Sequence, residues 1–367
     1  MALSDSQLKF LFKPEPSFAE HCLLPRSHDI FSHRSTHEFA SPSRRELDSL
    51  EGTSSFKFNP SGLDLTVGSY IAKADRLETS LTGKDFFGMN FQRIDGKEHI
   101  LLADKEGKNI YYVVSQEKLN LPSDLEYFVD ARSTTGRVGV MCHQAGRLSS
   151  GEVIIAVQPF AFPIKITSGK TSLSQAVIRY GKTDFLSYEE LKKSAEKIRF
   201  FRGEKDVFIE SLRAEGLVMS FSSDLVYRAK NCSEPIDMDA VDEFDPSIYF
   251  DIIEGNGKFA IDARIFYLAG TRETIGLENI CGRISRESPL SGTGLWSHFA
   301  GVVHSKFDGP ITLECYSLIN REIRDGESAG FVKFDEINGL VLNGYKGSYQ
   351  NQTAPRLPKM FKQFVRV

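Results

Sequence analysis

At 367 residues the chain exceeds what one hydrophobic core usually holds, so two domains are expected. Its 45 Lys and Arg against 49 Asp and Glu leave a net charge of −4, which argues against a nucleic-acid scaffold while leaving room for a small anionic ligand held by local cations. The five cysteines are odd in number and scattered, no apolar run approaches a membrane span, and Met1–Asp5 lacks the basic start of a signal peptide, so a cytoplasmic protein with no membrane partner is expected.

In chain order, Ser4 and Gln7 form a capping-box pattern ahead of Leu8, Phe10, Leu11 and Phe12, predicting a short helix. Residues 13–55 are rich in His, Ser, Pro and Arg. His21, His28, His33 and His37 lack the spacing and paired cysteines of a metal site, so residues 1–55 read as a helix and an irregular arm. From Phe56 the pattern alternates, with Leu63, Leu65 and Val67 on one face. Further strands are expected at 98–103, 110–115, 125–130, 137–142, 152–158 and 161–166, making 56–186 a first domain. Ser187 and Glu190 form a second capping box, opening a helix near 187–200 within a connector of 187–205. The second domain, 206–367, carries expected strands at 206–212, 216–221, 258–261, 264–269, 295–303, 311–317 and 329–334. Short strands at this rhythm, without long helices between them, imply an all-β barrel or jelly roll.

The two halves repeat each other. Ile110-Tyr111-Tyr112-Val113-Val114-Ser115 matches Ile265-Phe266-Tyr267-Leu268-Ala269-Gly270 at an offset of 155, which also carries Ser133 onto Ser288 and Gly139 onto Gly294. Offsets of 158 and 157 carry Gly151 onto Gly309 and Gly169 onto Gly326. One register held over such a length indicates two copies of one β domain.

The chemically richest stretch is Asp130-Ala131-Arg132-Ser133-Thr134-Thr135-Gly136-Arg137-Val138-Gly139. Hydroxyls and backbone amides beside fixed cations suit phosphate oxygens, and a polar turn between strands uses the same letters. With Leu121-Pro122-Ser123-Asp124-Leu125 before it, the stretch resembles the second motif of the dUTPase/dCTP deaminase superfamily, "LPxDL…DxRSSxxRxG". Pro60–Gly68 resembles the family's opening "PASLDLRLG" strand. Gly309-Pro310-Ile311-Thr312-Leu313-Glu314-Cys315-Tyr316 resembles the deaminases' "G-x-I-V-L-E-F-Y" strand, and Tyr345-Lys346-Gly347-Ser348-Tyr349-Gln350-Asn351-Gln352 resembles their C-terminal "YxxKYQxQ" lid. Tyr227–Lys230 with Pro235–Asp237 and Asp245-Pro246 resembles the second half of the long, two-domain bacterial dCTP deaminases.

The resemblance implies two tandem dUTPase-like jelly-roll domains and deamination of dCTP to dUTP and ammonia. The copies are complementary. The second has Glu287-Ser288-Pro289-Leu290-Ser291-Gly292 where the first has its arginines, and the first has Ala156 where the second has Glu314. A composite site follows, with Ser133, Thr134 and Arg137 from the first copy and Glu314 from the second. A zinc deaminase's H-x-E…P-C-x-x-C pattern is absent from the sequence, so a zinc-free route with a carboxylate base is expected. Thr312, Glu314 and Tyr316 share one face of their strand. Glu314 is the expected base, Arg137 the cation holding it ionised, and Ser133 the holder of the water. Arg132, Ser133, Thr134 and Lys346 are assigned to the phosphates, and Ala300, His304, Phe307, Tyr345, Gln350 and Gln352 to base and sugar. Mg²⁺ is expected to ride on the triphosphate, with dTTP a candidate feedback inhibitor and a homo-oligomer the expected assembly. Each assignment has a plainer rival: a strand glutamate in a salt bridge, an inter-domain ion pair at Arg137, packing roles for Trp296, His298, His304 and Phe307, a frayed tail at Gln352. Two departures stand out, His304 where relatives carry a sugar-binding Asp and Ser348 where they carry a lysine. A dUTPase or bifunctional enzyme, or a non-catalytic nucleotide-binding module, are the alternatives; the plain dUTPase is disfavoured by the missing hairpin aspartate.

Overall fold

The alternating residues from Leu63 onward do form a strand, but one that outruns the alternation. In the computed structural model β1 spans Gly62–Ala74. The structure describes residues 2–3, 58–60, 62–78, 80–121, 125–180, 185–285, 291–338, 345 and 347–362. The helix expected from Ser4 to Phe12, the arm with its four histidines, and Lys346 lie outside the described residues.

The first copy continues with a short helix α1 (Gly83–Gly88), then β2 (Ile110–Lys118), β3 (Leu125–Ala131), α2 (Ser133–Arg137), β4 (Val140–Arg147), β5 (Glu152–Pro159) and β6 (Ser172–Tyr180). After α3 (Tyr188–Lys193), the second copy's long strands are β7 (Gly216–Ala229), β8 (Phe266–Leu277), β9 (Ile280–Ser285), β10 (Asp308–Ser317) and β11 (Ser328–Asn338). Among the long strands compared, pairing is antiparallel and the same in both copies. The long first strand runs beside two partners, β2 and β6 in one copy and β8 and β11 in the other. The outer pairs repeat likewise, β2–β5 with β8–β10 and β3–β6 with β9–β11.

The glycines that betrayed the repeat share a positive φ. Gly139 and Gly294 have φ of 72° and 80°, Gly151 and Gly309 104° and 141°, Gly169 and Gly326 77° and 81°. All six lie in the left-handed region that side chains rarely tolerate, which gives the recurrence a backbone reason. A polar staple recurs as well. Ser115 Oγ donates to the Glu117 carbonyl at 2.7 Å and accepts from Val153 N at 2.9 Å, while Thr271 Oγ1 donates to the Glu273 carbonyl at 2.8 Å and accepts from Ile311 N at 2.9 Å. Each buried glutamate then takes an amide of its copy's first strand, Thr66 N at 2.7 Å and Ser220 N at 2.8 Å. These bonds fasten the bulge at which each long strand leaves one sheet for the other.

Several local expectations need correction. The strand expected from 137 begins only at Val140, because Ser133–Arg137 coil into α2 and Val138-Gly139 turn the chain. The segment expected as a strand at 206–212 holds a helical turn, Phe208–Ser211, at whose start Phe208 N donates to Asp206 Oδ1 at 2.9 Å. The helix expected to reach 200 stops at Lys193, and Ile198–Arg202 instead pairs with β8. The expected strand 295–303 divides into Leu295–Trp296, paired with β10, and Val302–Val303, paired with β9, with the irregular hairpin segment 297–301 between them. The strands β6 and β9 were not anticipated.

The largest apolar cluster belongs to both copies. Leu63, Val113 and Ile155 share it with Tyr249, Phe266, Phe299 and Tyr316. Phe160 joins the halves, with its ring 5.5 Å from Phe299 and 5.0 Å from Tyr316. Burial of such rings, about 2–3 kcal/mol each, holds the copies in fixed register. The site lies along that seam.

Candidate active site

The hydroxyl-rich stretch folds as it does because its ends are held while its middle is not. β3 and β4 anchor it, and the left-handed Gly139 closes it back. Between them α2 lies flat against the second copy. A Cβ at Gly136 would come within 2.9 Å of Ala300 Cβ and 3.0 Å of Glu314 Oε1, so glycine sets this approach. β10 delivers Glu314 to the same seam, with Ile311, Leu313 and Cys315 turned into the second copy's own core. Residues of the two copies thus meet at one cavity within one chain. Ser133 and Arg137 from the first copy line a cavity with Ala300, His304, Phe307, Thr312 and Glu314 from the second.

Glu314 is 2% exposed, and its Oε2 accepts hydrogen bonds from Phe299 N at 3.0 Å and Ala300 N at 3.2 Å. Burial pushes its carboxyl up to about 7, against the amides and the Arg137 charge, which pull it down. Arg137 pulls this carboxyl toward ionisation, in the expected sense, but desolvation outweighs it. Nor does the guanidinium donate to Glu314. Its Nη1 donates to the Arg356 carbonyl at 2.8 Å, both Nη atoms approach Gln352 Oε1 at 3.3 Å, and the plane stacks on Tyr349 at 3.5 Å. Nε of Arg137 is buried with no acceptor among the described residues, so one donor in the cavity is unspent.

The carboxylate of Asp130 completes the turn. Its Oδ2 accepts from Gly301 N at 2.8 Å and its Oδ1 from Ala131 N at 3.0 Å. Three successive amides, 299 to 301, thus point at two carboxylates contributed by different copies. Arg132 pairs with Asp64 at 3.1 Å and donates to the Ser172 carbonyl at 3.2 Å, leaving its guanidinium half-buried at the rim. His304 is buried, its Nε2 is 2.8 Å from Gln175 Oε1, and burial with the nearby Arg132 charge depresses it to about 4, so the imidazole is neutral at physiological pH.

The C-terminal segment covers these groups. Tyr345 stacks on His304 at 6.0 Å and meets Phe307 edge-on at 5.7 Å. The Tyr349 hydroxyl is 3.0 Å from Thr134 Oγ1. Gln352 donates through Nε2 to the Pro310 carbonyl and to Thr312 Oγ1, and Gln350 spans Asp308 N and the Lys306 carbonyl. What is left is a cavity of about 40 Å³. That is room for a few waters and not for a nucleotide.

At the matching place on the first copy the chemistry is gone and the space is filled. Ala156 is buried in a cluster with Tyr112, Leu148 and Phe86 of α1. Of the assigned residues, Ser133, Arg137, Ala300, His304, Phe307, Glu314, Tyr345 and Gln352 line the cavity, Arg132 and Thr134 lie beside it, Gln350 bonds only within the second copy, and Lys346 lies outside the described residues. Sequence reasoning gave no role to Asp130 or Tyr349, although both lie in the stretches it singled out. Gln175, on the unanticipated β6, carried no signal.

Comparisons with known proteins place the chain by sequence and by fold. The family model described as dCTP deaminase-like matches residues 35–179 and again 209–337. A dCTP deaminase, dUMP-forming, from Persephonella marina is 29% identical over 171 residues, covering 45% of this chain and 94% of the relative. A dCTP deaminase from Pyrococcus furiosus is 34% identical over 104 residues, 28% of this chain and 66% of the relative. Among solved structures, that of 2′-deoxycytidine 5′-triphosphate deaminase from Agrobacterium tumefaciens superposes with a TM-score of 0.64 at 20% identity, over 76% of this chain and 91% of that one, a likeness of fold. With both copies matched, the chain belongs to the dCTP deaminase-like family.

Proposed function

We propose that the chain deaminates dCTP at C4, producing dUTP and ammonia, in one composite site per chain. The observation that carries this reading is Glu314: a buried carboxyl at about 7, bridged to the Phe299 and Ala300 amides and facing Ser133 and Arg137 across the seam. A group titrating near neutrality can both take and return a proton at working pH. The ionised carboxylate accepts a proton from a water held beside Ser133, and the oxygen bonds to C4. The proton passes to N3. In the resulting tetrahedral intermediate, the proton of the new hydroxyl moves through Glu314 to the 4-amino nitrogen. The C4–N bond breaks, ammonia leaves, and C4 keeps a carbonyl oxygen. The unspent Nε–H of Arg137 is available to an oxygen or nitrogen of the bound base.

Arg132 and Thr134 at the rim, with Lys346, would meet the triphosphate, whose Mg²⁺ enters as part of the substrate. Tyr345, Phe307 and His304 would enclose the sugar, and Gln350 and Gln352 close behind the base. A neutral imidazole at 304 gives the sugar a partner of different character from a carboxylate. dTTP, matching the sugar and phosphates but lacking the 4-amino group, would compete.

A second reading has support in the name of the Persephonella relative and of one from Coprothermobacter proteolyticus, both dUMP-forming: cleavage of the triphosphate as well. Incubation with Mg²⁺ and dCTP, followed by nucleotide chromatography and an ammonia assay, decides among the possibilities. dUTP with ammonia supports the first reading and dUMP with pyrophosphate the second. Binding without turnover refutes both.

A further inference from the structure

The hairpin that receives Glu314 is gripped from the other side by a second carboxylate, and that grip crosses the seam. Gly301 N points at Asp130 Oδ2 at 2.8 Å, one residue beyond the two amides taken by Glu314. Asp130 itself is 5% exposed and cannot swing away, because its other oxygen holds Ala131 N at 3.0 Å at the end of β3. The hairpin is also tied to its own copy, through Ile284 N to the Gly301 carbonyl at 2.7 Å, and to the first copy through His304 Nε2 and Gln175 Oε1 at 2.8 Å and the Phe299 ring on Phe160.

We infer that Asp130 is a positioning residue for deamination: its carboxylate locks the second copy's hairpin to the first copy's phosphate loop on the same turn that receives Glu314. This rests on the deamination reading. The grip follows from chain order. Asp130 leads through Ala131 and Arg132 directly into α2, so one carboxylate fixes the distance between Ser133 and Arg137 on one side and Ala300 on the other. An electrostatic effect accompanies it, from like charges in a dry seam, where a second carboxylate disfavours ionisation of the first. Around Glu314 the facing groups are Arg137 of α2, His304 of the hairpin, Tyr345 and Tyr349 of the C-terminal segment, and Cys315 beside it on β10. Around Asp130 they are Cys142 of β4 and His298, Arg283 and Lys333, which line an adjoining cavity of about 230 Å³. Arg137 and Asp130 act in opposite senses on Glu314.

Two substitutions test this. Asp130→Asn is isosteric and removes the charge; its one oxygen keeps Gly301 N only by setting the NH₂ against Ala131 N, a cost that does not vary with pH, so the acid limb of the kcat/KM profile for dCTP should move to lower pH by about half a unit or more. Asp130→Ala releases the hairpin and should lower kcat/KM by about ten- to a hundredfold, the loss of one charged hydrogen bond. An acid limb unmoved in Asp130→Asn overturns the proposal, whatever Asp130→Ala does, because a purely structural contact would leave the profile in place. If Asp130→Ala does not fold, Asp130→Asn carries the test alone. A wild-type chain without dCTP turnover sinks the deamination reading instead, so the two failures are told apart.

Discussion

Replacing Glu314 by Gln should make the protein more stable at alkaline pH while removing its activity. The carboxyl titrates at about 7 in the folded chain against an ordinary 4.5, because it is buried at 2% exposure. A folded pKa above the unfolded one means that the group's contribution to stability is fully present below pH 4.5 and is lost as pH rises through about 7. The full loss amounts to about 3 kcal/mol, and most of it, about 2–3 kcal/mol, falls between pH 5 and 8. Gln does not titrate, and its oxygen still accepts from the Phe299 and Ala300 amides. Its NH₂ needs a new acceptor, a cost of roughly 1–3 kcal/mol that does not vary with pH. Unfolding of both proteins followed at pH 5, 6.5 and 8 should therefore give curves that diverge in favour of Glu314→Gln. Deamination should fall about 10²- to 10⁴-fold. Parallel stability curves would show that Glu314 is not desolvated as described, and a rate within tenfold of wild type would remove it as the base.

Phe86→Ala empties the plug over Ala156 and should cost about 3–5 kcal/mol of stability, read by denaturant unfolding, while leaving KM for dCTP within about twofold. A changed KM would mean that the first copy's filled pocket still communicates with the nucleotide. Tyr349→Phe keeps the ring on Arg137 and loses only the Thr134 contact, so KM should change by less than about tenfold. Tyr349→Ala should expose residues 345–361 to limited proteolysis, and equal cleavage of the two variants would refute a closing role for the stack. His304, depressed to about 4 from 6.5, costs stability as pH falls through that interval. His304→Gln should lose less stability than wild type between pH 7 and 4.5, and equal losses in thermal melts would contradict a buried neutral imidazole.

The repeat was legible because backbone demands are local. Gly139, Gly151 and Gly169 and their counterparts sit where the backbone needs positive φ, a demand each residue meets by itself. The inward and outward faces of β10 could likewise be read from alternation alone, since successive side chains in a strand oppose each other. α2 was missed for the opposite reason. Ser-Thr-Thr-Gly-Arg has little helical propensity, and the turn is held by β3, β4 and the hairpin packed on it. The same holds for Ile198–Arg202, whose strand state depends on β8 being alongside.

The sequence by itself determined which chemistry each copy retains: hydroxyls and arginines in one, a strand glutamate and an aromatic tail in the other. Only the tertiary structure decided how those groups are charged and engaged. Burial, which no residue carries in its own letters, raises Glu314 against the pull of Arg137 and turns that arginine toward the C-terminal segment. It also brings Asp130 and Glu314, from different copies, onto one turn. Desolvation and cross-seam contact are properties of the packed chain, so they emerge only once the two halves meet.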